Sequence, residues 1–125
     1  MAYAKELVQT GGISPGTASG LGGQYAAITA TGSIIGDAAG LTASNCVVAG
    51  ADGTKGVALQ GQVGDEVWVF NNSGSTLKVW PHSGSAAISV TGTGLGTGGA
   101  AFSLLTYKQG LFKQVTSTQW LCVVY

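Results

Sequence analysis

Short strand-like runs recur along this chain every eight to twelve residues, with turn-forming residues between them. The clearest runs are rich in β-branched and aromatic residues and cover residues 66–70, 76–80, 111–115 and 119–124. No segment keeps a helical periodicity, so crossover helices for a parallel α/β fold are lacking. The spacing therefore predicts an all-β fold, a jelly-roll-like sandwich or barrel of short antiparallel strands. No repeat of fixed period is visible, so a solenoid is not expected.

The N-terminal segment differs from the rest of the 125-residue chain, which has the length of one domain. Residues 9–24 consist mostly of Gly, Ser and Thr, with Pro15 among them. Such a segment has little side-chain volume with which to build a core and much backbone entropy to lose. The sequence predicts an extended, flexible Gly-rich arm over residues 1–23, followed by a β-rich domain over residues 24–125.

Charge is scarce and balanced, since five Lys stand against five Asp and Glu and Arg is absent. Five scattered lysines do not form the basic patch that neutralises phosphates, so a nucleic-acid partner is not expected. No apolar stretch approaches the length of a membrane-spanning helix, so a membrane partner is not expected either. The first seven residues lack the apolar region of a secretory signal, which indicates synthesis in the cytoplasm.

Two cysteines, Cys46 and Cys122, stand far apart and do not form a Cys-x-x-Cys motif. We interpret them as two small buried apolar residues of a protein folded in a reducing compartment. A disulfide between them is the alternative, which the sequence does not decide.

A match to G-x-G-x-x-G over residues 94–99 is the only phosphate-binding signal. Such a motif binds dinucleotides when its glycines begin a helix, but residues 100–105 read as a strand. In a chain with 22 glycines the motif is best explained as a loop. No cofactor is therefore expected.

No group of residues is suited to catalysis. Asp65 and Glu66 are adjacent, and neighbours on a strand point to opposite faces. His82 is the single histidine, with no second ligand type near it for a zinc site or a triad. Ser83 and Ser85 lack the G-x-S-x-G context of a nucleophilic serine. We expect no enzyme activity and no metal site.

The three tryptophans, Trp68, Trp80 and Trp120, each lie within an apolar run, which is typical of core packing. Trp68 and Trp80 stand on either side of the Asn-Gly-Ser-rich loop 71–75, a pattern that predicts a β-hairpin with the two rings paired across it. The alternative is a surface on which these rings stack on sugars.

A longer pattern carries a resemblance. It runs Gly-Val-Ala-Leu at residues 56–59, Gly-Asp-Glu-Val-Trp-Val-Phe-Asn at 64–71 and Leu-Lys-Val-Trp-Pro at 77–81, with Gly84, Ile88 and a late Gln-Trp pair at 119–120. Over roughly residues 56–124 the chain resembles small virion proteins of tailed bacteriophages, of the capsid decoration (cement) and head-fibre type.

The resemblance implies a non-enzymatic protein that sits on the capsid surface of the virion. Proteins of this kind are typically β-rich homotrimers that bind the major capsid protein and clamp neighbouring capsid subunits. A tail or fibre component with a carbohydrate-binding role is the alternative. The apolar residues of the arm then become candidates for capsid contact: Tyr3, Leu7, Val8, Ile13 and Leu21. The large aromatic residues become candidates for a packing or oligomer core: Trp68, Phe70, Trp80 and Trp120.

The scarcity of charge supports assembly independently of the resemblance. Exposed strand edges are normally protected by charged residues, and this chain has few of them. Pairing or packing with other subunits is the other way to cover such edges.

Overall fold

A computed structural model describes residues 25–61, 63–90 and 98–125 of the chain. All regular structure in these residues is β-strand, which confirms the predicted all-β class. They contain no helix, and hence no apolar helix long enough to cross a membrane. The ten strands are β1 (Tyr25–Thr29), β2 (Ala39–Gly40), β3 (Asn45–Ala49), β4 (Gly56–Ala58), β5 (Glu66–Asn71), β6 (Leu77–Trp80), β7 (Ala87–Val90), β8 (Phe102–Leu104), β9 (Gln109–Thr116) and β10 (Gln119–Val124).

The strands form two sheets with a shared core. Sheet A has six strands in the order β1-β3-β5-β9-β10-β7, and sheet B has four in the order β2-β4-β6-β8. The core between them combines Val48 and Val69 from sheet A with Val57 and Val79 from sheet B, all without exposed surface. The largest buried ring systems, Trp120 and Phe112, also come from sheet A.

The pairing of strands corrects the prediction of an antiparallel fold. Among the described strands, five pairs are parallel (β1–β3, β3–β5, β2–β4, β4–β6 and β7–β10) and three are antiparallel (β5–β9, β9–β10 and β6–β8). The cause is that the chain crosses between the sheets after each of its first six strands. Each strand therefore returns to the sheet in the same direction as the strand two before it. The jelly-roll arrangement, which needs antiparallel neighbours, is not confirmed.

Because the chain alternates between the two sheets, its first six strands follow a coil-like path. The sequence does not reveal this path, since it has no repeat of fixed length. Asn45 pairs with Tyr25 on one side and with Trp68 on the other, whereas Val57 pairs with Ala39 and Val79. The number of residues between paired positions differs from one coil to the next, because the corners between strands differ in length. Stacked coils need only matching strands and tolerate unequal corners, so no constant period appears.

The predicted hairpin between β5 and β6 is wrong, and its turn is a corner between the two sheets. Both edges of β5 are already paired, with β3 and β9, so β6 joins β4 and β8 instead. The amide of Asn71 donates to the carbonyl oxygen of Ser75 at 2.9 Å, and the backbone N–H of Asn72 donates to Val48 O at 2.8 Å. These bonds direct the corner across the end of the sandwich. Trp68 and Trp80 consequently belong to different sheets.

Candidate functional site

Alternation along the strands of sheet A leaves one face of the sheet in the core and the other toward solvent. On β5, Val67 and Val69 are buried and point inward, while Trp68 and Phe70 are half-buried and point outward. The same alternation holds on β3, β9 and β10. We call the outward surface the apolar face, which consists of Val47, Trp68, Phe70, Leu111, Leu121 and Val123, with the exposed Tyr25 and Tyr125 beside it.

The register of the strands arranges the apolar face in continuous rows. Trp68 lies beside Leu111 on β9, and Leu111 lies beside Val123 on β10. In the next row Phe70 lies beside Val47 on β3. The rings of Trp68 and Tyr125 are 5.6 Å apart between centroids at an interplanar angle of 35°. The surface is therefore one connected apolar patch.

The sequence already carries a signal for this patch. In a sheet with one solvated face, strands alternate between apolar and polar residues. The run Trp-Leu-Cys-Val-Val at 120–124 does not alternate, so both of its faces are apolar. Leu111, Leu121 and Val123 are not among the sequence-predicted site residues, because only the register of β9 and β10 places Leu111 beside Trp68, Val123 beside Leu111 and Leu121 beside Lys113.

Two charged side chains flank the apolar face, and they have opposite sign. Lys113 Nζ lies 3.7 Å from Glu66 Oε1, with side-chain exposures of 52 % and 39 %. An ion pair this exposed contributes about 0–1 kcal/mol to stability. It leaves the surface close to neutral.

The other predicted aromatic residues lie elsewhere, so the candidate packing or oligomer core divides among three places. Trp120 is fully buried in the core, and its indole N–H donates to Nδ1 of His82 at 2.9 Å. The lone histidine thus has a structural partner.

Trp80 lies on the outer side of sheet B, half-buried against the backbone of β4. A side chain on Gly56 would collide with the carbonyl oxygen of Lys78 and approach Nε1 of Trp80 to 3.0 Å. The indole N–H of Trp80 is buried without a hydrogen-bond partner. Nζ of Lys78 lies 6.0 Å from the ring centroid, at the limit of a cation–π contact.

The two cysteines are free and buried, as the preferred interpretation predicts. Both point into the core from sheet A, but β5 and β9 lie between their strands. Three strand spacings amount to roughly 14 Å, well beyond the reach of a disulfide. Burial raises the pKa of the Cys122 thiol to about 12. Burial also raises the pKa of the Cys46 thiol, partly offset by its hydrogen bond to Ala43 O.

The remaining motifs have no binding geometry in the part of the chain that the structure describes. Gly98 and Gly99 lead into strand β8 rather than a helix, and residues 94–97 of the motif lie outside the described residues. Within the described ranges no three His, Cys, Asp or Glu side chains form a group able to hold a metal ion. The arm candidates Tyr3, Leu7, Val8, Ile13 and Leu21 also lie outside these ranges.

The apolar face therefore stands as the candidate functional site, and it is suited to one kind of chemistry. A connected apolar surface binds by removing its area from water, at about 25 cal/mol per Å². Aromatic residues such as Trp68 and Tyr125 are the residue types that dominate such contacts. Comparison with models of protein families, with curated proteins and with solved structures found no match to this chain.

Proposed function

We propose that this chain is a non-enzymatic structural protein of a tailed-bacteriophage virion. In this proposal it is a capsid cement, or decoration, protein that is made in the host cytoplasm and binds the outer capsid surface as a homotrimer. It stabilises contacts between subunits of the major capsid protein. The pattern over residues 56–124 supports the virion assignment, and the apolar face supports assembly.

The apolar face is the observation that carries this proposal. Contiguous apolar surface on a soluble protein usually marks a contact with another molecule. Here it includes Trp68 and Phe70 in the middle of sheet A and Tyr125 at its margin. Leaving such a surface in water is unfavourable, so a partner that covers it gains free energy from the burial.

A second copy of the chain is the occupant to which the proposal commits. The charges flanking the face, on Glu66 and Lys113, are equal and opposite, and the whole chain has a formal charge of zero. Identical copies therefore approach without net repulsion. In a closed oligomer of three copies, each apolar face is removed from water by contact with a neighbouring copy.

Capsid attachment is assigned to the N-terminal arm, which remains a prediction from the sequence. The test uses empty capsids assembled without this protein and measures binding of the full chain by cosedimentation. Deleting residues 1–22 is expected to preserve the β domain and to weaken or abolish binding. Full-chain protein that fails to bind the capsids would overturn the cement assignment, and unchanged binding by the deletion variant would overturn the role of the arm.

A carbohydrate-binding component of a tail or fibre is the second candidate function. The Trp68–Tyr125 ring pair favours it, because aromatic rings at a surface are the groups on which sugars stack. A glycan array separates the two functions. Specific binding that a Trp68→Ala substitution removes without unfolding the protein supports the second candidate, and an array without hits contradicts it.

A further inference from the structure

The turn between β8 and β9 exposes two large apolar side chains outside the apolar face. Leu105 is 58 % exposed and Tyr107 is 62 % exposed. The backbone N–H of Lys108 donates to Leu105 O at 3.1 Å and closes the turn. We call residues 105–108 the tyrosine turn.

Buried polar groups hold the tyrosine turn in a fixed conformation. The fully buried Asn71 donates from its amide to the carbonyl oxygens of Leu104 and Leu105, at 3.0 and 3.2 Å. The backbone carbonyl oxygen of Asn71 accepts a hydrogen bond from the N–H of Tyr107 at 2.9 Å, and the backbone N–H of Asn71 donates to Lys108 O at 3.0 Å. The hydroxyl of Thr106 donates to Ser73 O. The apolar side chains are thus presented on a backbone that is already ordered.

The backbone of Tyr107 is strained, and nothing in the turn requires a tyrosine side chain at this position. Its φ is +57°, in the left-handed region that disfavours bulky side chains. At every other described position with positive φ the chain has glycine: Gly32, Gly50, Gly53, Gly64 and Gly99. A glycine would also fit this turn, because a positive φ at the third position favours Gly. Most of the Tyr107 side chain is exposed to solvent, so its burial within the chain does not offset the strain.

We propose that the tyrosine turn of one copy inserts onto the apolar face of the next copy, in a head-to-tail contact. This inference rests on the proposed homotrimer. A closed ring of three copies needs two different surfaces on each copy, whereas one self-complementary surface gives a two-fold dimer. The described chain offers two such surfaces, the tyrosine turn and the apolar face.

The chemistry of the two surfaces is complementary. Tyr107 and Leu105 bring apolar side chains to a surface of Trp68, Phe70 and Val123. Lys108 next to the ring is exposed and positive, and the margin of the apolar face has the Glu66–Lys113 ion pair, which is neutral as a whole and does not repel it. Tyrosine is a frequent anchor in protein interfaces, because a rigid ring buries much area at a low cost in conformational entropy.

The two surfaces also adjoin each other, which suits packing around one axis. Gln109 follows the turn directly, and its backbone exchanges hydrogen bonds with Tyr125 at 2.8 and 3.3 Å. Tyr125 in turn contacts Trp68. A turn placed beside the face reaches the equivalent face of a neighbour close to a three-fold axis.

The first test replaces Tyr107 with glycine in the full-length protein. Because glycine relieves the strained φ, Tyr107→Gly is expected to fold, with the far-UV circular dichroism spectrum of the wild type. The solution mass measured by light scattering is expected to fall from three times the 12.4 kDa chain mass to the mass of a single chain. The matched control is Ile34→Ala, which truncates another exposed apolar side chain outside both surfaces and should keep the wild-type mass.

The second test distinguishes a head-to-tail contact from face-to-face packing. Trp68→Ser damages the apolar face, and this variant is also expected to have the mass of a single chain. If Trp68→Ser does not fold, Val47→Ser is used in its place. A mixture of the Trp68 and Tyr107 variants still contains one intact turn and one intact face. It should therefore form a pair with twice the chain mass, which neither variant forms alone.

The inference is overturned if Tyr107→Gly keeps the wild-type mass, if that variant is unfolded, or if the mixture does not pair. A wild-type protein that is a single chain at all concentrations also overturns it. None of these results depends on capsid binding, which tests the cement assignment separately.

Discussion

At the residue scale, one hydrogen bond connects the only histidine to the centre of the core. Trp120 has no exposed surface, and its indole N–H has Nδ1 of His82 as its partner at 2.9 Å. Since an indole nitrogen only donates, Nδ1 must accept, and the proton of the neutral imidazole lies on Nε2. No local pattern in the sequence pairs these two residues, which are 38 positions apart.

Replacing His82 with alanine should leave the Trp120 N–H buried without an acceptor. We expect the free energy of unfolding to fall by about 1–3 kcal/mol, the usual cost of an unsatisfied buried donor. Denaturant unfolding followed by tryptophan fluorescence measures the change. Ser85→Ala, at an exposed position in the same loop, is the control and should change stability by less than about 0.5 kcal/mol.

A double-mutant cycle tests the assignment of that cost to the hydrogen bond. Trp120→Phe removes the N–H, so a subsequent His82→Ala substitution should cost less than it does in the wild type. Equal costs in both backgrounds would contradict the assignment.

The two thiols should be inert in the folded protein. Burial raises both pKa values, that of Cys122 to about 12, and only the thiolate reacts. An aromatic disulfide reagent at neutral pH is expected to titrate no thiol in buffer and both thiols in denaturant. A rapidly reacting thiol in the folded state would contradict the burial.

The same raised pKa values predict a loss of stability in alkali. The Cys122 thiol has a pKa near 9 in the unfolded chain and about 12 in the folded protein, so the unfolded chain loses this proton at a lower pH. The contribution of this thiol to the free energy of unfolding is therefore complete below pH 9 and is lost as the pH rises toward 12. Unfolding measured from pH 8 to 11 should show this decline. A Cys122→Ala variant should show less of it.

At the element scale, the sequence predicted where the clearest strands lie and failed to predict how they pair. Residues 66–70 and 76–80 were identified as strands and correspond closely to β5 and β6. Their composition is a local property, and local composition determines strand propensity. Pairing depends on which strand occupies each free edge, and β5 meets β3 and β9 from distant parts of the chain. No local signal contains that information.

Gly56 tests the close approach of β4 to β6. Because its α-carbon faces Lys78 O and the indole of Trp80, Gly56→Ala should separate the two strands and lower the thermal midpoint by several degrees. Gly74→Ala is the matched control, since an added methyl group there meets nothing within 4 Å. Similar midpoints for the two variants would show that sheet B absorbs the extra methyl group.

At the scale of the whole molecule, the aromatic residues of the site were predictable and its extent was not. Trp68 and Phe70 stood out by size within an apolar run, and both belong to the apolar face. Val47, Leu111 and Val123 are ordinary aliphatic residues, and only their common outward orientation in a folded sheet makes them part of a surface. The strained Tyr107 has no sequence signature, because a backbone angle is set by the turn around it.

The connectivity of the two sheets predicts slow folding. Pairs such as β5 with β9 and β7 with β10 join distant segments, and the cost of closing these loops precedes the gain from pairing. Stopped-flow refolding followed by tryptophan fluorescence should give a main phase of milliseconds to seconds. Complete refolding within microseconds would contradict it.

Unequal corners have a consequence for how this chain can change over evolutionary time. The coils stack through their strands, so the length of a corner is not tied to the register of the sheets. The corner at residues 51–55 joins β3 to β4 and has mostly exposed residues. An insertion there costs the slowly growing entropy of a longer loop and the hydrogen bonds that Asp52 accepts from Thr54 and Lys55. This corner is therefore a position at which the protein can acquire, or be given, an inserted peptide without changing the pairing of its sheets.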